Sequence, residues 1–179
     1  MSEMRSDQAR GLVVATDGSV RIGRSVHIGC AYLDDAGDWW MEWVVRGRRQ
    51  PGTNLSLQAE LRAIRNATTK HEHRVTVLSD CLEAVRLMER WRAGDLAPIP
   101  GYCGRTLNNF ARRVSQTGEL FDVQWTRGHH GHALNEGADA LARLASRHLK
   151  DGVPVRETRR RAAGIAAAFS GSFIEAVPA

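Results

Sequence analysis

Gly11-Leu12-Val13-Val14-Ala15 is an apolar run without alternation, and it breaks off at Thr16-Asp17-Gly18-Ser19. A short run of that kind, bounded by turn residues, reads as a strand buried on both faces. A carboxylate at the mouth of such a strand sits on a rigid element and faces solvent, a position that suits a metal ligand. Taken alone, Asp17 reads more simply as a polar strand end before a turn at Gly18. Its meaning depends on whether other carboxylates occupy similar stations.

The remainder of the chain supplies them. Val26 to Leu33 reads as a second strand, Asp34 to Asp38 as a hairpin turn, and Trp39 to Arg46 as a third strand. In that third strand Trp39, Met41, Trp43 and Val45 share one face, and Trp40, Glu42, Val44 and Arg46 the other. The tryptophans read as core with a half-covered outer face; a base-stacking platform is the sharper alternative. After a basic turn, a helix is expected from Asn54 or Ser56 to Lys70, with Leu57, Leu61, Ile64 and Thr68 inward. Glu60 borders that stripe, where a carboxylate is costly unless paired or bound to a metal. His71-Glu72-His73 has residues at i and i+2, which point apart, so these read as solvated loop residues.

Val75 to Ser79 reads as the fourth strand and stops at Asp80, a second carboxylate on a strand end. A helix over 81–92 follows, with Leu82, Val85 and Met88 inward and a basic, aromatic end at Arg90-Trp91-Arg92. A proline-containing loop leads to a helix over 105–116, and Glu119 to Thr126 forms the fifth strand. Then comes Gly128-His129-His130-Gly131-His132, running into a helix that continues to about Lys150. Asn135 and Asp139 share a face of that helix. With no cysteine nearby and carboxylates as the available partners, Mg²⁺ or Mn²⁺ suits this set better than zinc.

Residues 1–10 read as a loose leader, 11–150 as one domain, and 151–179 as a tail of different texture. In that tail Arg156, Arg159, Arg160 and Arg161 precede an alanine-rich stretch ending in Phe169, Phe173 and Ile174. Two readings of the tail stand: a helix packed back on the domain, or a flexible basic extension. The 179 residues carry a net charge of +5, which favours polyanions. Three isolated cysteines make neither a disulfide framework nor a zinc pattern and fit a reducing cytoplasm. No apolar run approaches the roughly 18 residues of a membrane helix, and no signal peptide is visible.

Three antiparallel strands, then alternating helices and parallel strands, with Asp17, Glu60, Asp80 and Asp139 at the junctions, resemble type 1 ribonuclease H over about residues 11–150. The motifs that carry the resemblance are Thr16-Asp17-Gly18-Ser19, Ala59-Glu60-Leu61-Arg62-Ala63-Ile64, Ser79-Asp80-Cys81, and Gly128-His129-His130-Gly131-His132 running to Asn135-Glu136-Gly137-Ala138-Asp139. The resemblance implies a five-stranded mixed sheet flanked by helices, with the acidic residues meeting at one end. It implies hydrolysis of the RNA strand of RNA–DNA hybrids, leaving 5′-phosphate and 3′-hydroxyl ends. Asp17 would bridge two Mg²⁺ ions, Asp139 would complete the water-activating site, and Glu60 and Asp80 would hold the other ion, with Mn²⁺ as a substitute. Two such ions about 4 Å apart would polarise the phosphate, activate water and stabilise the leaving oxygen. His129 would be the mobile histidine that assists proton transfer or product release, Asn135 would support its loop, and His132 would be structural.

Some pieces depart from the family pattern. Val20 to Ser25 replaces the glycine- and proline-rich turn after the first Asp. Thr53-Asn54 lies two residues too early, and Leu55-Ser56-Leu57-Gln58 fills the gap. The basic handle is reduced to Arg90-Trp91-Arg92 and Arg105. Gly18, Ser19, Ser56, Gln58, Trp91, Arg92 and Arg105 are therefore the expected substrate contacts, with the tail arginines as reinforcement. A monomer with no protein partner is expected. The rival readings are a non-catalytic nucleic-acid-binding domain on the same fold, and a nuclease of that fold with another substrate.

Overall fold

The computed structural model describes residues 11–47, 52, 54–71, 74–99, 104–117, 120–148 and 150–176. The leader, Thr53, Glu72, His73, Cys103 and Glu119 lie outside them. β1 (Leu12–Ile22), β2 (Val26–Asp34) and β3 (Trp39–Arg46) form an antiparallel meander. α1 (Leu55–Lys70) then crosses to β4 (Val75–Ser79), and α2 (Leu82–Arg92) and α3 (Arg105–Thr117) lead to β5 (Phe121–Trp125). β4 runs parallel to β1 and β5 parallel to β4, which gives the sheet order β3-β2-β1-β4-β5. α4 (Ala133–Arg147) and α5 (Val155–Ala176) complete the chain.

Each strand's alternation feeds two cores. Val14, Val77, Phe121 and Val123 face α1, α2 and α3, where they meet Leu57, Leu61, Ile64, Met88 and Phe110. Ala15, Ala31 and Leu33 face α4, against Leu134, Ala138, Leu141 and Ala142. Burial on both faces is what the uniform run Leu12-Val13-Val14-Ala15 foretold. β3 is covered on both sides as well: Trp39 and Met41 pack toward α4 and α5, while Trp40 packs toward α1. Its tryptophans are half-buried, and Trp43 lies against the buried His148 ring at 4.2 Å between centroids.

Several sequence expectations change. β1 does not turn at Gly18 but runs on to Ile22, pairing with β2 throughout. Glycine is needed there for close approach: a Cβ on Gly18 would stand 2.6 Å from the Ala59 Cβ and 2.7 Å from the Glu60 nitrogen. Leu82 is exposed rather than inward, and the inner stripe of α2 is Ala84, Val85, Leu87, Met88 and Trp91. α4 ends at Arg147 rather than Lys150. His71 is not a solvated loop residue: its ring sits edge-on to Tyr32, and its Nε2 lies 3.8 Å from the buried Asp34 carboxylate.

The tail folds as the long helix α5. Thr158, Ala162, Ala166 and Ser170 recur every fourth residue and are buried, with Ile165, Phe169 and Phe173 packed beside them on the α4 side of the sheet. Small residues allow the two helices to approach closely; a Cβ on Gly137 of α4 would lie 2.8 Å from the Phe169 Cβ. Among the described residues no helix is long and apolar enough to cross a membrane.

Candidate active site

The ladder between β1 and β4 stops at Thr16 and Ser79. Asp17 is therefore the first β1 residue beyond the parallel pairing, and Asp80 is the first residue beyond β4. Both stand at the carboxyl end of a parallel strand, the edge where open α/β sheets bind ligands. Strand alternation turns Asp17, like Ala15, toward α4. From the other side, α1 brings Glu60 over the same edge through the gap that Gly18 leaves.

Asp17, Glu60 and Asp80 each offer a carboxylate oxygen, all within 4.8 Å of one another. One Glu60 oxygen accepts a 2.9 Å hydrogen bond from the Gly18 amide. Its other oxygen is buried and has no hydrogen-bond partner among the described residues. Burial, then repulsion from Asp17 and Asp80, holds the Glu60 carboxyl well above its ordinary range. Asp17 is pushed up to about 8 by the same forces, burial first, then the charges of Asp139 and Asp80. Crowded carboxylates of this kind favour protons or cations in the space between them.

Asp139 belongs to a second group. It lies on α4 with Glu136 one turn earlier, and His129 folds back so that the three ligand atoms fall within 4.8 Å of one another. Burial raises the Asp139 carboxyl, and Arg143 and His129 oppose that shift. Arg143 reaches Asp139 at 2.8 Å, one helical turn along. Both acidic groups fit hard divalent cations by their donor chemistry, and the unpartnered Glu60 oxygen is the clearest sign of a missing positive charge.

The histidine loop is closed against this edge. A Cβ on Gly128 would lie 2.5 Å from the Asp80 Oδ2, so any larger residue there would press on the Asp80 carboxylate. The Trp125 indole donates to the Asp80 carbonyl at 3.2 Å and fixes its backbone. His129 adopts φ 55°, the left-handed region that a non-glycine residue enters at a cost of about 1–2 kcal/mol. Its exposed ring sits 3.8 Å from the Glu136 carboxylate. His132 caps α4, its Nδ1 accepting from the Asn135 amide at 3.4 Å, and its ring lies near Phe173. Asn135 is buried beneath the loop, and its Oδ1 has no hydrogen-bond partner among the described residues.

The expected substrate contacts are scattered. Gly18 and Ser19 flank the carboxylates, although the Ser19 hydroxyl is engaged with Ser146 at 3.1 Å. Ser56 is exposed and Gln58 half-buried in the first turn of α1, and Arg105 is exposed at the start of α3. Trp91 is a correction: it is buried against Phe110, because three-residue spacing from Met88 continues the inner stripe of α2. Arg92 is largely committed to the Phe121 carbonyl at 2.7 Å and to Asp122. Asn54 caps α1 by accepting from the Leu57 amide and donates to Glu83, so its early position has a structural use. Sequence reasoning missed Glu136 and Arg143, which stand three residues before and four after Asp139; that spacing was the available signal.

A sequence profile described as RNase H matches residues 9–147. No curated protein sequence matches the chain at a significant level. Among solved structures, the foamy viral protease-reverse transcriptase in complex with dsDNA superposes with a TM-score of 0.60 over 77% of this chain and 95% of that one, at 16% identity. At that identity the likeness speaks for the fold alone. The profile spans most of the chain, from before β1 to the end of α4, and takes in all four acidic stations: the chain belongs to the RNase H family.

Proposed function

We propose that the protein is a metal-dependent endoribonuclease that hydrolyses the RNA strand of RNA–DNA hybrids, leaving 5′-phosphate and 3′-hydroxyl ends. Family membership supports the substrate class. The observation that carries the chemistry is the convergence of Asp17, Glu60 and Asp80, with one Glu60 oxygen buried and unpartnered among the described residues. A module that only bound polyanions would gain nothing from buried carboxylates at its binding edge, since they repel phosphate and resist ionisation.

Asp17, Glu60, Asp80 and Asp139 are the residues that would hold two divalent cations, Mg²⁺ with Mn²⁺ as substitute. Bound there, the cations supply Lewis-acid polarisation of the scissile phosphate, a water acidic enough to attack, and charge neutralisation at the leaving 3′-oxygen. Rigid elements hold the carboxylates: Asp17 on the central strand, Glu60 on α1 through the Gly18 amide, Asp80 by the Trp125 anchor. His129 stands at the exposed rim, where its ring nitrogen can carry a proton to or from the reacting oxygens. Glu136 lies within reach of the same ring and orients it. Arg143 holds Asp139 in place at 2.8 Å, and a cation held there would compete with the guanidinium for that carboxylate. Residues 11–150 form the nuclease body, and α5 supports the α4 side of it.

The substrate assignment is tested with purified protein, Mg²⁺ and end-labelled RNA–DNA, RNA–RNA and DNA–DNA duplexes. Cleavage confined to the RNA strand of the hybrid is expected. Equal cleavage of double-stranded RNA, or cutting of DNA, would instead favour a nuclease of this fold with a different substrate.

A further inference from the structure

Beyond the carboxylates, the β1–β2 hairpin and the C-terminal half of α4 diverge around a cavity of about 650 Å³. Arg21, Arg24 and His27 line it from the hairpin, and Arg143, Arg147 and Lys150 from the helix and the turn after it. Among the described residues no carboxylate lines it. Among the described residues, Arg21, Arg24, Arg147 and Lys150 take part in no ion pair. The Arg21 Nε is buried and has no hydrogen-bond partner there. Elsewhere the cations are more often committed: Arg62 to Glu42, Arg90 to Asp95, Arg92 to Asp122, and Arg160 and Arg161 to Glu157. This groove is thus an uncompensated concentration of positive charge, and it repels itself unless an anion enters.

Its position identifies the anion. Ser19, two residues from Asp17 on β1, lines one end of the cavity, and Arg143, paired with Asp139, lines the same groove from α4. The groove thus shares Ser19 and Arg143 with the surroundings of the acidic site. Arg21 is four residues beyond Asp17, about 14 Å along an extended strand at about 3.4 Å per residue. Successive nucleotides of one strand advance about 3.4 Å along a duplex axis, so the groove lies within a few nucleotides of a phosphate held at the carboxylates. The basic handle after α2, meanwhile, is depleted: Trp91 is buried and Arg92 is engaged by Asp122 and the Phe121 carbonyl.

We propose that this groove binds the phosphate backbone of the hybrid a few nucleotides from the cleavage point and supplies the electrostatic affinity that the shortened handle lacks. The proposal rests on the nuclease reading for the identity of the substrate but turns on Arg24, Arg147 and Lys150 of the groove, which that reading does not use.

The test is the full-length triple variant Arg24→Gln, Arg147→Gln and Lys150→Gln. All three side chains are exposed and lie outside the carboxylate cluster, so the fold should hold, and an unchanged melting temperature checks this. Hybrid binding is measured in EDTA by anisotropy across a salt series, and cleavage with Mg²⁺ in the same preparations. Every phosphate that is no longer neutralised flattens the slope of log affinity against log salt by about 0.9 on B-DNA. With three cations removed, the slope should therefore fall by up to about 2.7, KM should rise and kcat should hold. The lysine double variant Arg24→Lys and Arg147→Lys should keep the wild-type slope. An unchanged slope and KM in the glutamine variant would overturn the proposal even if the wild type cleaves hybrids normally. A flattened slope in a protein that cuts nothing would support the groove and overturn the nuclease reading instead. Failure of the wild type to bind hybrid at all would overturn both.

Discussion

Asp17→Asn should make the cation-free protein more stable while removing its activity. Burial and the neighbouring carboxylates raise Asp17 from its ordinary 3.8 to about 8. The folded state therefore holds this proton more tightly than the unfolded chain does. Stability associated with that proton is complete below about pH 4 and is lost as the pH rises toward 8. At about 1.36 kcal/mol per pH unit, the interval from 3.8 to about 8 corresponds to a loss of about 6 kcal/mol. An asparagine has nearly the same shape and carries no charge, so it escapes the loss and also relieves repulsion on Glu60, which Asp17 helps to raise. For a chain of this size 1 kcal/mol shifts Tm by about 2–4 °C, which puts the ceiling of the difference at about 12–24 °C. Thermal unfolding in EDTA from about pH 5 to about pH 9 is the assay, a window that brackets the raised value. The variant should exceed the wild type most at the alkaline end, with the gap closing toward the acid end. Saturating Mg²⁺ should narrow that gap by stabilising the wild type, about 2.7 kcal/mol at a hundredfold excess over Kd. An Asp17→Asn protein no more stable than wild type at the alkaline end in EDTA would refute the claim that the cluster is electrostatically frustrated.

Other substitutions probe the supports. A Cβ on Gly29 would stand 2.1 Å from the Ala142 carbonyl oxygen, so Gly29→Ala should push α4 off the sheet, cost about 1–3 kcal/mol and slow cleavage by displacing Asp139, whereas Gly164→Ala, in open space on α5, should be neutral or stabilising in urea titrations. His129→Ala should lower kcat by about 10²-fold and leave Mg²⁺-induced stabilisation unchanged; a large loss in His132→Ala with a silent His129→Ala would reassign the loop. Removing residues 152–179 should strip Phe169 and Phe173 from α4 and, at about 1.5–3 kcal/mol for each of these two side chains, lower Tm by about 6–24 °C; an unchanged Tm would mean that α5 contributes nothing to the core.

The four acidic stations were legible because each falls where the local pattern changes: at the end of a uniform apolar run, beside a helical stripe, after a short strand, and one turn into a helix behind a glycine-flanked loop. The five-stranded mixed sheet came from the family resemblance those stations carry, and its strand order only from the structure. The extent of β1 was not legible. Its second half, Gly18 to Ile22, is paired with β2 but extends past the end of the five-residue β4, and that termination belongs to a partner sixty residues away. The polar, glycine-containing sequence there resembles a turn only because its outer edge is free. Trp91 misled through its arginine neighbours, although its spacing from Val85 and Met88 already placed it inward. For α5, composition left a helix packed back on the domain and a flexible extension both open, and Gly137 decides for the helix by letting Phe169 approach α4. The groove above Arg21 depends on two elements more than a hundred residues apart, which no local pattern reveals.

The most direct test is the initial rate of RNA-strand hydrolysis in an RNA–DNA hybrid as Mg²⁺ is titrated from a chelated start, for the wild type and Asp17→Asn side by side. The account predicts no cleavage in chelator, a steeper than first-order rise with Mg²⁺ for the wild type, and no detectable turnover of the variant at any concentration, with hybrid binding retained. Cleavage that persists in chelator, or wild-type turnover by the Asp17→Asn protein at saturating Mg²⁺, would contradict it.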